Sequence, residues 1–400
     1  MNKVLLERAK DRAAVFEKFL QTERDEEASA IRLAFLDRGV ENSPYRTEIE
    51  NYPIHLQQKP MTFGPYPRRG ELPKINTTRL DFLHGDIQEA CICLGRFRDD
   101  DRIETVWMGK NALRNTQFWS STKIIPVLNV LGRVNGLFPD SKVEDWRVRD
   151  PDEEGREFSF VEAIADIVSY EKKIGSSNAL AATFKRFARR SELERWLIDI
   201  TGNQSLEFRG DYGEEAFIQN PQLADERLQQ ILLSAAEETP RGENLLSAYD
   251  LTRIVSMVGW HYHLDPDARL PGVNWDGLKA VIAGLGRDTA RFVDVALETL
   301  GLEEAIFAPV ILSKLGHGPS QLRQAIETTY MVFVQFGDRL PTQTGQPARL
   351  RTLAMTLRGG IPIADFEDYN QESVRLDARM AAEVTEILRR VVTEELDAIA

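Results

Sequence analysis

The feature that most constrains the fold is where the strand-forming residues lie. They stand toward the two ends of the chain, and helical periodicity fills the middle. "EACICLGRF" (Glu89–Phe97) and "RIETVWMGK" (Arg102–Lys110) are two runs separated by "RDDD", the pattern of a hairpin. Strand character returns at "APVILSKLG" (Ala308–Gly316), "TTYMVFVQF" (Thr328–Phe336) and "RLRTLAMTLRG" (Arg349–Gly359). Between them, residues 137 to about 300 carry the 3.6-residue apolar period of helices, with loops at "PDSKVEDWRVRDPDEEG" and "EFRGDYGEEAFIQNPQ". A last helix is predicted from about Glu372 to Ala398. Strands, helices, strands, helix: this order predicts an α/β fold of the α+β kind. A mainly antiparallel sheet is built from both chain ends and flanked by helices, and an all-helical lobe is inserted between them. The expected boundaries are 86–136 with 301–400 for the sheet domain and 137–300 for the helical domain. Residues 1–85 form an N-terminal extension: an amphipathic helix over 3–38, broken near Thr22–Glu23, then a surface-draped segment over 39–80 with six prolines.

A chain of 400 residues is long enough for two or three lobes with a sizeable core. Its net charge of −13 argues against a general nucleic-acid binder, which needs a basic surface to meet phosphates. The basic run "FKRFARR" (Phe184–Arg190) reads as a solvated helix face. The N-terminus spreads charges throughout, without the apolar stretch of a secretory signal, and no window has the length of a membrane span. The expectation is a cytoplasmic protein with neither membrane nor nucleic-acid partners. Cys91 and Cys93 are two apart and share a face in a strand, so they are expected unbridged. "WHYHLDPD" brings His261 and His263 together, but with five histidines in the chain and no second ligand cluster, they read as ordinary hydrogen-bonded histidines. No metal and no cofactor is expected. "GLGRD" and "GHGPS" lack the spacing of a phosphate-binding glycine loop. The N-terminal helices are expected to cap a cleft, to join two copies of the chain as a homo-oligomer, or to pack on the sheet.

The chemistry concentrates in "QFWSSTKIIPVLNVL" (Gln117–Leu131), where a lysine stands at the mouth of an apolar segment. A buried lysine must find a partner or lose its proton. If the segment is a helix starting at Ser120, Lys123 lies at i+3 on the same face, whereas Ser121 faces elsewhere. A serine hydroxyl is a poor nucleophile until a neighbour takes its proton, and an amine with a depressed pKa can do that. Backbone N–H groups at the start of the helix would bind the developing oxyanion. The spacing therefore suits acyl transfer through a serine ester. Two further pieces follow in order: Ser176-Ser177-Asn178 after the helical run "SFVEAIADIVSYEKK", and Lys314-Leu315-Gly316 at the end of a strand.

With these three elements the chain resembles the penicillin-recognising serine hydrolases: class A β-lactamases, DD-peptidases and glutaminase-like relatives. The resemblance covers roughly residues 86–398. It implies roles residue by residue. Ser120 is the acylated nucleophile and Lys123 accepts its proton. Ser176 relays a proton to the leaving group, and Asn178 holds the substrate amide. Lys314 supplies positive potential and orients Ser176 or a substrate carboxylate. Gly316 belongs to the third element, and the backbone N–H groups of Ser120 and His317 form the oxyanion hole. Leu315 stands where the family pattern has a hydroxyl residue that helps hold a substrate carboxylate. In "LEFRGDYGEEAF", Asp211, Glu214 and Glu215 are the candidates to activate a deacylating water. The leucine turns the expectation away from antibiotic hydrolysis. It favours a serine hydrolase or acyltransferase acting on a small-molecule or peptide-like amide, ester or thioester; the alternative is the same scaffold kept only for binding.

Overall fold

The computed structural model describes residues 2–24, 63–98, 100–236, 242–290, 292–340 and 348–396. In chain order the elements begin with α1 (Asn2–Arg8), α2 (Arg12–Arg24), β1 (Gly64–Pro65), β2 (Ile75–Asn76), β3 (Ile87–Phe97), β4 (Ile103–Lys110) and β5 (Thr116–Gln117). They continue with α3 (Ile124–Leu137), β6 (Trp146–Arg149), β7 (Glu157–Ser159), α4 (Phe160–Ser169), α5 (Ser177–Lys185), α6 (Arg190–Thr201), β8 (Glu207–Phe208), β9 (Gln222–Asp225), β10 (Gln230–Ser234) and β11 (Asn244–Leu246). They end with α7 (Ala248–Gly259), α8 (Trp275–Leu285), α9 (Phe292–Thr299), β12 (Ile306–Ser320), β13 (Ala325–Asp338), β14 (Arg349–Pro362) and α10 (Asn370–Val392).

The two groups of strands meet in one sheet, in the order β1-β4-β3-β14-β13-β12, with β2 paired beside β4. The seam between the chain ends is the antiparallel pair β3–β14, with Cys93 opposite Ala354. Every residue of β13 is buried, so its two faces both read as apolar and no alternation is visible in the sequence. The C-terminal strands are longer than patterning predicts, because their polar residues are buried with partners. Gln335 accepts from Thr352 at 2.8 Å, and Arg358 lies between Glu89 and Glu327. One face of the sheet packs on the inserted region through α7, which is buried along its whole length. The other face packs on α2, α9 and α10.

The inserted region is not all helix. It holds a small sheet in the order β10-β9-β6-β7, while β11 joins β8 to β5 in another. The four residues "WRVR" of β6 are too few for alternation to declare a strand, yet Trp146 and Val148 are fully buried. The basic run is not a solvated face either. Phe184 and Phe187 are in the core, Lys185 and Arg186 are buried, and Arg186 Nε donates to the Gln219 carbonyl at 2.6 Å. Cys91 and Cys93 are free thiols in β3.

At the N-terminus the break between helices falls around Ala9–Asp11, not at Thr22–Glu23. The Asp11 carboxylate accepts the Ala14 N–H at 3.1 Å and so starts α2. The remainder of the predicted helix, and most of the proline-rich segment, lie outside the described residues. From residue 63 that segment adds β1 and β2 to the sheet. Helix α2 packs on α10: Arg12 pairs with Glu383, and Arg379 lies over the Phe16 ring at 3.8 Å. Among the described residues no helix is long and apolar enough to cross a membrane.

Candidate functional site

Ser120 lies in a 3-10 turn, Trp119–Thr122, immediately before α3. The apolar run after it forms the helix, and Pro126 is tolerated because it falls in the first turn, where N–H groups lack intrahelical partners anyway. The turn is wedged against β12, the edge strand of the sheet. The glycines of "GHGPS" make this possible. A Cβ on Gly316 would come 2.7 Å from the Ser120 amide nitrogen, and one on Gly318 would come 2.7 Å from the Trp119 ring. The two-residue period of a strand puts both glycines on one face. Side chains pin the turn down. Thr329 Oγ1 donates to the Phe118 carbonyl at 2.9 Å, and Ser121 Oγ donates to the Lys314 carbonyl at 3.0 Å.

Lys123 is 2% exposed. Its Nζ donates to Ser177 Oγ at 2.7 Å rather than to Ser120. Burial first, and the Lys314 charge second, lower its pKa to about 7, while the carboxylate of Glu214 acts the other way. Lys314 is fully buried and donates to the Tyr170 hydroxyl, with the Tyr170 ring 3.8 Å away from ring centroid to Nζ. Burial lowers its pKa to about 8, opposed by Asp288. Tyr170 completes the cluster. It caps α4 in the left-handed conformation (φ +61°), donates its hydroxyl to the Leu315 carbonyl at 2.9 Å, and hydrogen-bonds Ser120. Burial pushes its phenol pKa up, the Asp288 charge adds to that, and the bond to Ser120 opposes both.

The serine triplet requires a correction. The hydroxyl facing Lys123 belongs to Ser177, not Ser176. Ser176 is the N-cap of α5 and accepts the Ala179 N–H at 3.1 Å, while its hydroxyl donates to Glu214. The residue after an N-cap has entered the helix, so its side chain takes another direction and here reaches the lysine. Asn178 Nδ2 also donates to Glu214, at 3.1 Å. Of the three loop carboxylates, Glu214 thus holds the start of α5. Asp211 lines the hollow and caps its own turn through the Gly213 N–H at 2.8 Å. Glu215 accepts from Gln219 at 3.4 Å.

Leu315 also needs correcting as a substrate-binding side chain. It packs against the core on the α10 face of the sheet and contributes to the cluster through its carbonyl. His317 lines the hollow, while its ring hydrogen-bonds Thr328 and Ser373, the latter on α10. The hollow above Ser120 and Lys123 measures about 470 Å³, within the range that takes a small molecule. Gln117, Trp119, Asn178, Asp211, Glu243 and Asn244 are among the residues around it.

Sequence reasoning missed Tyr170, Ser177 and Trp119 as members of this cluster. "SYEKK" after an amphipathic helix gave no sign that its tyrosine would turn inward. The signal that did exist was Gly316 and Gly318 at strand spacing, which announces another backbone close to one face. His261 and His263 lie in a short turn after α7. His261 faces the Trp275 ring, with centroids 6.4 Å apart, and His263 Nδ1 is 3.0 Å from the Asp101 carbonyl.

No protein-family model matches the chain, and no curated protein matches it. Solved structures do. The likeness is to β-lactamases. A β-lactamase from Desulfarculus baarsii aligns over 78% of this chain and 96% of its own, at 14% identity and a TM-score of 0.41. A class D β-lactamase from Sebaldella termitidis aligns over 81% and 99%, at 9% identity and a TM-score of 0.41. A class A β-lactamase from Clostridium kluyveri aligns over 76% and 95%, at 11% identity and a TM-score of 0.37.

Proposed function

We propose that the protein is a serine hydrolase or acyltransferase that works through an acyl-enzyme at Ser120. One observation carries the reading. Lys123 is buried without a carboxylate in hydrogen-bonding contact among the described residues, its proton is held weakly, and it shares a hollow with a serine. Such an amine is costly to keep charged in a fold, and it is what a serine nucleophile needs. Ser120 Oγ attacks the acyl carbonyl and its proton passes to Lys123 Nζ. Ser177, hydrogen-bonded to that amine, passes the proton on to the leaving group, which departs as the acyl-enzyme forms. Tyr170 and Lys314 steady the hydroxyl of Ser120 and the positive field around it. Water or another nucleophile then takes the acyl group. Asp211, which lines the hollow, and Glu214, which holds Ser176 and Asn178, are the candidate carboxylates to assist that step. The substrate is a small amide, ester or thioester, held by the hollow and by Asn178. Because the Leu315 side chain faces away, no hydroxyl at that position holds a substrate carboxylate.

A second reading is a binding scaffold without turnover, favoured by the bond from Lys123 to Ser177 in place of Ser120. Mass spectrometry of the intact protein after incubation with acyl probes separates the two. The panel is a neutral fluorophosphonate, a penicillin and a simple activated ester. An adduct on Ser120 that disappears in Ser120→Ala supports acyl transfer. No adduct from any probe, or an adduct that survives in Ser120→Ala, overturns it.

A further inference from the structure

Beneath the nucleophile turn runs a chain of buried charge that the proposed chemistry does not itself use. Arg114 pairs with Glu89 at 3.2 Å, Glu89 with Arg358, Arg358 with Glu327 at 2.5 Å, and Glu327 with Arg323 at 2.5 Å. Glu89, Arg358 and Glu327 have side chains no more than 1% exposed. The chain ends on the site. Trp119 Nε1 donates to Glu327 Oε2 at 2.9 Å, and Arg323 reaches Gln117 Oε1 at 3.3 Å. Trp119 and Gln117 both line the hollow.

The sheet register explains the reach. Glu327 on β13 stands directly opposite Gly318 on β12. The indole lies over that glycine, where any side chain would collide with it, and its N–H meets the carboxylate across the strand pair. Trp119 holds φ at +48°, the left-handed region that a bulky aromatic residue rarely occupies. Such a conformation persists when the surroundings over-determine it, and it occurs most often at functional turns. Trp119 is also the residue immediately before Ser120, so its backbone angles decide how the chain enters the turn and where the serine hydroxyl points.

We propose that Glu327 is a positioning residue for Ser120, acting through Trp119. The two arginines neutralise the carboxylate and fix it in place, and the carboxylate fixes the indole. The indole, seated on Gly318, holds residue 119 left-handed and aims Ser120 toward Tyr170 and the hollow. The inference rests on acyl transfer at Ser120.

The test measures labelling of Ser120 by a neutral fluorophosphonate, followed by intact mass against probe concentration, so that the maximal rate kinact and the half-saturation constant KI are separated. Trp119→Phe keeps a ring over Gly318 and removes only the N–H donor. Glu327→Gln keeps an acceptor oxygen for the indole, and Glu327→Ala removes it. The expected result for Trp119→Phe is a fall in kinact of about tenfold with KI within about twofold, the pattern of lost orientation rather than lost binding. Glu327→Gln should recover reactivity relative to Glu327→Ala. Thermal melting of each variant gives its folded fraction, and kinact is expressed per folded molecule. A kinact in Trp119→Phe equal to the wild type, or a loss in all variants that merely follows the unfolded fraction, overturns the positioning role and leaves acyl transfer standing. A wild-type protein that takes no label at Ser120 overturns both.

Discussion

The hollow and the α10 face of the central sheet bury cations in opposite ways. On the α10 face the cations are arginines with carboxylates. Arg389 forms two bonds to Glu386, at 2.8 and 2.9 Å, and two more to Glu395. Arg351 pairs with Asp338, and Arg349 with Glu394. Hydrogen bonds to Glu386, then to Glu395, raise the pKa of Arg389 above its ordinary value. At the hollow the buried cations are lysines, and their hydrogen-bond partners are neutral oxygens: the Ser177 hydroxyl for Lys123, and the Tyr170 hydroxyl and Leu315 carbonyl for Lys314. Both lysine pKa values fall. A planar guanidinium matched to carboxylates is charge neutralised at fixed geometry. An ammonium facing neutral oxygens keeps its desolvation cost, and relieves it by giving up a proton. The first arrangement holds structure together, and the second places a weakly held proton beside Ser120.

Lys123→Met breaks the contrast most sharply. Labelling of Ser120 by the neutral fluorophosphonate should fall by about a thousandfold, the scale of a lost general base. The urea midpoint should hold or rise, since a poorly compensated buried charge has been removed. Unchanged labelling would detach Lys123 from the chemistry. Arg389→Met should do the reverse. Urea denaturation should show a loss of about 3 kcal/mol, because buried Glu386 loses one of its partners, while the labelling rate per folded molecule stays as it was.

The pH dependence sharpens the comparison further. Lys123 has a folded pKa of about 7, far below that of the unfolded chain. Between about pH 7 and 10.5 the unfolded state therefore binds more protons than the folded state. Stability should rise with pH across that window, by at most about 1.4 kcal/mol per unit for this one group. Below pH 7 both states are protonated and the full cost of the buried charge is present. Labelling should climb through about pH 7 as the free amine appears, and then level off. Lys123→Met should flatten the part of the stability slope that Lys123 supplies. A stability curve with the opposite slope, or the same slope in Lys123→Met, would remove the assigned cause.

The smallest effect concerns substrate charge. Asp211 and Glu243 line the hollow, and Leu315 offers no hydroxyl to a carboxylate. A cationic activated ester should therefore acylate Ser120 about fivefold faster than its carboxylate-bearing counterpart at low salt. The ratio should shrink at high salt, as expected for exposed charges. Equal rates at both salt concentrations would show that the lining carboxylates do not select.

Much of this molecule is legible from residue order alone. Strand runs at Glu89–Lys110 and beyond Ala308 can bury their apolar faces only together, so the sheet built from both ends follows from pattern and chain connectivity. The serine–lysine spacing follows too, since i and i+3 lie close in any helical turn. The inserted region was less legible, because short strands such as "WRVR" leave no period to read. The same holds for the buried arginines. Composition marks them as surface residues, and the burial of Arg358 is made tolerable by two carboxylates distant in sequence, Glu89 and Glu327, 269 and 31 positions away.

What the sequence alone determined is thus local periodicity and the order of the elements, together with the placing of a serine three residues before a lysine in a segment that must be buried. Tertiary structure decided everything that joins distant parts. It chose Ser177 over Ser176, brought Tyr170 onto Lys314 and turned the Leu315 side chain away. It also set the Trp119 indole on Glu327. The contacts responsible link residues 54, 144 and 208 positions apart. Local pattern says how a side chain is spaced along its own helix or strand. Which groups it then meets depends on strand register and on which face is buried, and both are fixed only when the whole sheet assembles.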